Sequence, residues 1–332
     1  MQPVRWGILS TAKIGRGRVV PGMMKSPLCD IIAVASRDEA AARDMATELG
    51  IPKAYGSYEA LLADPDIEAI YNPLPNHLHV PMTLAAAAAG KHILCEKPIA
   101  ITADEAKQLK EASSQVLIAE AFMVRHHPQW HHALKLIRSG EVGDLRSIQV
   151  SFSYFNADPT NIRNMARIGG GGLLDIGCYA VVTGRFFFSA EPVRVIALVD
   201  RDPTLEIDRT TSALVDFGAG RQMTFTVSTQ SVPYQRTQIL GTKGRIEIEI
   251  PFNAPPDVPT RIFIDDGSLP GGRSARTVEF PIVNQYQLQG EAFSRAVRGA
   301  APLAYDLEDA LKNMRILDAL RRSEASASWE TI

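Results

Sequence analysis

Short apolar runs alternate with stretches of helical periodicity through the first 121 residues, a pattern that fits a parallel sheet covered by helices and little else. Val4 to Leu9, Ile31 to Ala35, Ala69 to Tyr71, Ile93 to Cys95 and Val116 to Ala119 have strand length and composition. Between them Asp38 opens an alanine-rich stretch closed by Gly50, Leu78 to Ala89 ends at Gly90, and Thr102 starts another helix. Right-handed crossovers turn this order into a doubly wound sheet. Such sheets bind ligands outside the carboxyl ends of their strands, so charged residues at those ends point to chemistry.

The pattern changes after residue 121. A helix starting at Pro128 precedes the run Leu145 to Phe155 and an apolar helical segment from Gly172 to Phe188. Then come Val193 to Asp200, Thr210 to Phe217, Gln222 to Ser228, Thr237 to Leu240, Arg245 to Ile250, Arg261 to Ile264 and Thr277 to Phe280, mostly consecutive and joined by turn residues. Consecutive strands favour antiparallel pairing, and Pro251 to Pro259 reads as a hairpin connection. Helices over Gln285 to Val297 and Leu307 to Arg321 close the chain. The expectation is an α/β protein with a doubly wound domain at 1–121. An α+β domain with a large, open-faced, mainly antiparallel sheet follows at 122–332, its last helix able to pack back on the first domain. A chain of 332 residues is long enough for two cores.

Composition narrows the partners. With 35 basic against 37 acidic side chains the formal charge is -2, which exerts no global pull on nucleic acid or an anionic membrane. Cys29, Cys95 and Cys178 lack zinc or redox spacing, as reduced, buried thiols do. The start runs straight into a strand pattern, and no 18-residue hydrophobic run is expected anywhere, so the cytoplasm is the expected location. The open face of the second sheet is expected to bury itself in a homodimer or homotetramer.

Three places carry the chemistry. After the first strand, Ser10, Ala12 and Gly15 fall on the G-x-G-x-x-G spacing, where small residues let backbone approach a pyrophosphate at a helix start. A plain tight turn is the alternative. At the end of the second strand stand Ser36 and Arg37 in place of the acid that would accept from a ribose 2′-hydroxyl. A guanidinium there pairs with a 2′-phosphate, which favours NADP over NAD, unless Arg37 is simply solvated and Asp38 an N-cap. Lastly, Glu96-Lys97-Pro98 puts a cation at the end of the run Ile93 to Cys95, and Asp175 and Tyr179 lie four apart in the apolar segment, on one face of an α-helix. A buried carboxylate needs a donor or cation, for which Lys97 is the natural candidate, and Gly169 to Gly172 supply a flexible loop before it. The alternative is a structural pair at Asp175 and a core aromatic at Tyr179. His126, His127, His131 and His132 give no metal site, because Pro128 begins the helix between them.

Ser10-Thr11-Ala12, Ala35-Ser36-Arg37, Pro75-Asn76-His77-Leu78-His79, Glu96-Lys97-Pro98 and Gly171 through Tyr179 resemble, in order, the motifs of the glucose-fructose oxidoreductase/inositol dehydrogenase (Gfo/Idh/MocA) family. The Ser-Arg pair and the Asp-x-Gly-x-Tyr form resemble its NADP-dependent D-xylose dehydrogenase and dimeric dihydrodiol dehydrogenase branch. The resemblance implies a Rossmann domain, an open-faced sheet domain and hydride transfer between a sugar-like alcohol and the nicotinamide. A trans-dihydrodiol or a keto-sugar is an alternative substrate. A non-catalytic NADP-binding sensor is also weighed, but it would be expected to lose Lys97 or Tyr179, and both are present. Lys97, Tyr179 and Asp175 are the candidate catalytic residues. Ser10, Thr11, Ala12, Ile14, Gly15, Ser36, Arg37, Pro73, Asn76, His79, Glu96 and Lys97 are candidates for the cofactor, and Arg163, Asn164 and Tyr286 for the substrate. Many family members carry His at the position of Tyr179, and the first two glycines of the phosphate turn are here Ser and Ala.

Overall fold

The computed structural model describes all 332 residues, and the chain divides into two compact units. Met1–Met123 with Asn284–Met314 form the first, and Val124–Val283 with Arg315–Ile332 the second.

Six strands make the first unit's sheet: β1 (Val4–Leu9), β2 (Cys29–Ala35), β3 (Lys53–Tyr55), β4 (Ala69–Asn72), β5 (His92–Cys95) and β6 (Ile118–Glu120). All pairs are parallel, in the order β3-β2-β1-β4-β5-β6. The order reverses between β1 and β4, where a doubly wound sheet opens its ligand crevice. Trp6 on β1 is fully buried, its ring 5.4 Å from Phe293 and its Nε1 donating to Ser294 Oγ at 3.3 Å, so the late helix Gln285–Val297 completes this core. Asp38 caps Glu39–Leu49, accepting from the amides of Ala40 and Ala41, and Gly50 ends that helix in the left-handed region at φ 70°. β3 lacks a strong apolar signature, while the helix Tyr58–Leu62 buries Tyr58, Leu61 and Leu62. The strand is tied instead by Asp64, whose Oδ2 accepts from Lys53 Nζ at 2.8 Å and Tyr55 Oη at 2.9 Å.

Nine strands form the second unit's sheet: β7 (Leu145–Phe155), β8 (Arg194–Arg201), β9 (Asp208–Asp216), β10 (Gln222–Ser228), β11 (Gln230–Gly241), β12 (Arg245–Ile248), β13 (Thr260–Asp265), β14 (Arg276–Phe280) and β15 (Glu330–Thr331). Their order is β14-β13-β12-β11-β7-β10-β9-β8-β15, antiparallel except for the β7–β10 pair. Helices Pro128–Arg138 and Cys178–Phe188 cover one face. Phe155, Leu198, Leu214 and Val232 stand exposed on the strands. The covered side is aromatic: Trp130 stacks on Phe187 at 5.1 Å and donates from Nε1 to Pro251 O at 2.8 Å. Phe252, in the β12–β13 connection, stacks on Phe152 at 4.7 Å. His127 caps Pro128–Arg138 by accepting from Gln129 N, while the rings of His131 and His132 meet Phe186 and Phe280 edge-on.

One run departs from expectation. Ala166–Phe188 is long and apolar enough to cross a membrane by composition, with 83% of its most apolar window buried, so packing accounts for its apolarity. The glycines before the helix are not a flexible loop either. A β-carbon at Gly170 would lie 2.7 Å from Arg163 O, and one at Gly171, whose φ is +120°, would collide with Asp208 Oδ1. Asp208 accepts from Leu173 N and from Thr211 Oγ1, so a side chain from β9 caps the helical segment that follows these glycines.

Burial pushes the Asp208 carboxyl up to about 6, against the pull of the Leu173 amide and of Arg201. A carboxyl raised above its unfolded value, about 3.9, favours the folded state most below that value, and the contribution fades as pH rises through about 6. Asp208 should therefore lower the unfolding free energy of the native chain relative to an Asp208→Asn variant progressively between pH 4 and 6.5, a difference read from urea titrations of both. Trp130→Ala, which empties a fully buried aromatic site, should cost about 3–5 kcal/mol in the same measurement.

Candidate active site

The phosphate turn of the first unit begins where β1 ends. Ser10 N donates to Ala35 O at 2.8 Å, and Ser10 takes φ 98°, a conformation that glycine adopts without strain. Its hydroxyl accepts from Ala12 N at 3.0 Å, a local bond that no glycine could make. Thr11 completes the turn, and helical backbone starts at Lys13, carrying Ile14 and then Gly15, whose missing β-carbon would touch the ring of Tyr71 and Pro73 at 3.6 Å. At the end of β2, Ser36 Oγ accepts from Asp38 N, and the exposed Arg37 has its guanidinium against the phenol of the buried Tyr58. Burial pushes the Tyr58 phenol up, and Arg37 pulls it back. Tyr58 is thus a partner of Arg37 that the sequence reading missed.

β4 and β5 lead into two loops stitched together below the surface. Buried Asn72 donates to His79 O and accepts from Leu74 N just beyond Pro73. His79 is 1% exposed, with Nδ1 2.7 Å from Pro98 O and Nε2 2.6 Å from Leu74 O. Both ring nitrogens are engaged with backbone, which corrects the expectation of a direct cofactor contact: His79 ties the Pro73–Leu74 loop to the loop holding Lys97. Burial holds its ring down to about 4. Asn76 starts the short 3-10 turn Asn76–Leu78 at the same end of the sheet.

Glu96 and Lys97 follow β5 directly. Glu96 Oε1 accepts from Tyr71 Oη at 2.7 Å, and Oε2 from Lys97 N at 3.3 Å. Beyond Lys97, Ile99 N donates at 2.8 Å to the buried Glu120 at the end of β6, whose other oxygen takes Asn313 Nδ2. Lys97 is half-buried on a loop fixed at both ends. Tyr286 lies in this unit beside Glu96, and burial pushes its phenol up to about 12, with Arg18 and Lys97 drawing it back.

In the second unit Asp175 sits in a five-residue π-helical turn, Leu173–Gly177, and Tyr179 in the first turn of Cys178–Phe188. The four-residue spacing therefore crosses a π-turn, a local form frequent at functional sites, and does not follow the regular α-helical face expected. Tyr179 is buried, its ring 5.8 Å from Phe152 and 5.5 Å from Phe252. Within this unit two side chains donate to Asp175. Tyr154 Oη donates to Oδ2 at 2.6 Å, and Arg163 Nε to Oδ1 at 3.1 Å. Asn164, also a substrate candidate, is 3% exposed and donates from Nδ2 to the carbonyls of Asn156 and Asp158, so it holds its own loop together. Tyr154, which alternates on a strand among ordinary sheet residues, gave no sequence signal.

Residues 4–117 match the oxidoreductase family with an NAD-binding Rossmann fold, and residues 130–247 the GFO/IDH/MocA C-terminal domain. A D-xylose 1-dehydrogenase (NADP(+)) of Haloferax volcanii is 38% identical over 98% of this chain and 99% of its own. A trans-1,2-dihydrobenzene-1,2-diol dehydrogenase of Mus musculus is 34% identical over 74% of each chain. Among solved structures, KijD10, a 3-ketoreductase from Actinomadura kijaniata in complex with NADP and TDP-benzene, superposes with a TM-score of 0.90 at 28% identity over 97% of this chain and 98% of its own. Matches in both units, together with full-length relatives above the identity at which ancestry is plain, establish the chain as a member of the Gfo/Idh/MocA family of oxidoreductases.

Proposed function

We propose that the protein is an NADP-dependent oxidoreductase that moves hydride between the alcohol carbon of a sugar-like substrate, an aldose such as D-xylose or D-glucose, and the nicotinamide. The observation that carries the cofactor assignment is the end of β2. Asp38 there caps the following helix, its Oδ1 accepting from the amides of Ala40 and Ala41, while Arg37 stands exposed beside it. A 2′-phosphate would find the guanidinium and the Ser36 hydroxyl, a stronger pairing than a neutral ribose 2′-hydroxyl would make with them. The turn at Ser10–Gly15 and the switch between β1 and β4 suit the rest of a dinucleotide. The names of the Haloferax relative and of the KijD10 complex support the same cofactor.

When bound, the nicotinamide supplies the hydride acceptor or donor. The chain's own residues handle the proton and the substrate's orientation. In this reading Tyr179 Oη takes the hydroxyl proton. An ordinary phenol, near pKa 10, is a weak base at neutral pH, and a neighbouring ammonium favours its ionised form, the role given to Lys97. Asp175, held by Tyr154 and Arg163, accepts from a substrate hydroxyl. Ser10, Thr11, Ala12, Ile14, Gly15, Pro73, Asn76 and Glu96 border the dinucleotide, and Tyr286 stands beside Glu96. A second copy of the chain, in the cytoplasm, covers the exposed Phe155, Leu198, Leu214 and Val232 of the open sheet.

Mixing the protein with NADP⁺ or NAD⁺ and a panel of aldoses and trans-dihydrodiols, and following the absorbance of the reduced cofactor, should show turnover of aldoses with NADP⁺ preferred. Arg37→Ala should raise the KM for NADP⁺ about 10- to 100-fold and leave that for NAD⁺ nearly unchanged. Equal use of the two cofactors by the native protein would refute the role of Arg37. Lys97→Met should lower kcat by roughly 10²–10⁴ in the same assay, and full turnover in that variant would remove the ammonium from the mechanism.

A further inference from the structure

The second unit holds a cleft lined by none of the residues assigned to cofactor or substrate. Its volume is about 450 Å³, within the range of small-molecule sites. It lies where the helix Cys178–Phe188 ends, about 13 Å of helix away from Tyr179 in the first turn. Phe187 and Phe188 from that helix, with Leu134 and Ile137 near the end of Pro128–Arg138, make its apolar wall. The aromatic part of the wall is held from behind. Phe187 stacks on Trp130 at 5.1 Å, and Phe188 packs on Phe217 at 4.6 Å.

Three guanidiniums line the same cleft. Arg138 ends its helix, Arg146 stands near the start of β7, and Arg221 closes the turn between β9 and β10. Arg221 is half-buried and fixed: Nε donates to Gly218 O, Nη2 to Phe217 O, and Cζ lies 5.8 Å from the centre of the Phe188 ring. Asp144 is the one carboxylate in the lining, 3.3 Å from Arg146 Nη2. Three cations against one carboxylate leave an excess of two positive charges, in a chain whose formal total is -2. Two helices end here, and their carbonyls carry roughly half a negative charge each, which offsets about one of the two. The cleft stays positive, and its apolar wall focuses that field.

Guanidinium forks pair with phosphate or carboxylate oxygens, while phenylalanine faces favour an apolar body beside them. We propose that this cleft is a second ligand site, which takes a small molecule joining a phosphate or carboxylate to an aromatic ring. Arg221 supplies the fixed cation against the aromatic wall, and Arg138 and Arg146 close on the acid group from the rim. Because its lining is shared with neither cofactor nor substrate residues, the occupant does not compete with them.

The test is isothermal titration calorimetry of the full-length protein in excess NADP⁺, which keeps phosphate probes out of the nucleotide site. Phenyl phosphate and phenylacetate are the probes, with inorganic phosphate and phenol as the two halves of the first. At least one of the two aromatic acids should bind, about 10-fold or more tightly than either half, and more weakly as sodium chloride is raised. The double variant Arg138→Gln with Arg146→Gln changes only exposed side chains and should weaken that binding about 10- to 100-fold, with NADP⁺ affinity unchanged. Ala219→Asp is an independent check. It adds an acid at the rim in a left-handed turn position that aspartate accepts, and should weaken the same probe about 10-fold. No binding by either aromatic acid, an affinity no better than that of inorganic phosphate, or binding that neither variant weakens would each overturn the proposal.

Discussion

A carboxylate set inside an apolar helical segment has to be met by donors, and much of the second unit is arranged around that requirement. Removing an ion from water without partners costs several kcal/mol, more than a single sheet contact returns. Asp175 meets it with a phenol from the central strand and a guanidinium from the preceding loop. That loop is in turn held by Asn164, and its close approach to the glycine run is possible only because Gly170 carries no side chain. Asp208 then caps the segment from β9. Strand, loop, glycines and helix are linked through backbone and carboxylate contacts in which a shift of a few tenths of an ångström is felt at the site.

The first unit reaches a similar precision by other means. Its sheet is closed by apolar packing, but the loops at its carboxyl end are held by buried polar side chains. His79 ties two of them together, and Glu120 takes the Ile99 amide just beyond Lys97. Loops at this end of a doubly wound sheet carry function on a rigid frame. Here the frame extends into the loops themselves, so Lys97 projects from fixed backbone.

How far the sequence could be read follows the range of the forces involved. β1, β2, β4 and β5 announced themselves because burial on both faces makes a parallel strand a continuous apolar run. β3 did not, since Lys53 and Tyr55 are held by polar bonds to Asp64, not by burial. Local patterns also gave the strands of the second sheet apart from β15, but not their order. Nothing near β7 signals that it lies between β10 and β11, parallel to the former. At the site, Arg37 and Asp38 were legible because N-caps and strand ends are local features. Tyr154, which meets Asp175 from 21 residues away, was not. His79 misled for the opposite reason. A polar residue within a motif looks available until its burial is known, and both of its ring nitrogens are spent on backbone.

The cap at Asp38 ties the choice of electron carrier to the stability of the helix Glu39–Leu49. Freeing that carboxylate to greet an unphosphorylated ribose would strip the helix of its first hydrogen-bond acceptor, a loss of about 1 kcal/mol. A lineage drifting toward the other nicotinamide pool would more easily install a new acid at Ser36 than redeploy the one it already has. The redox economy this fold serves is thus guarded by a helix end that never touches substrate.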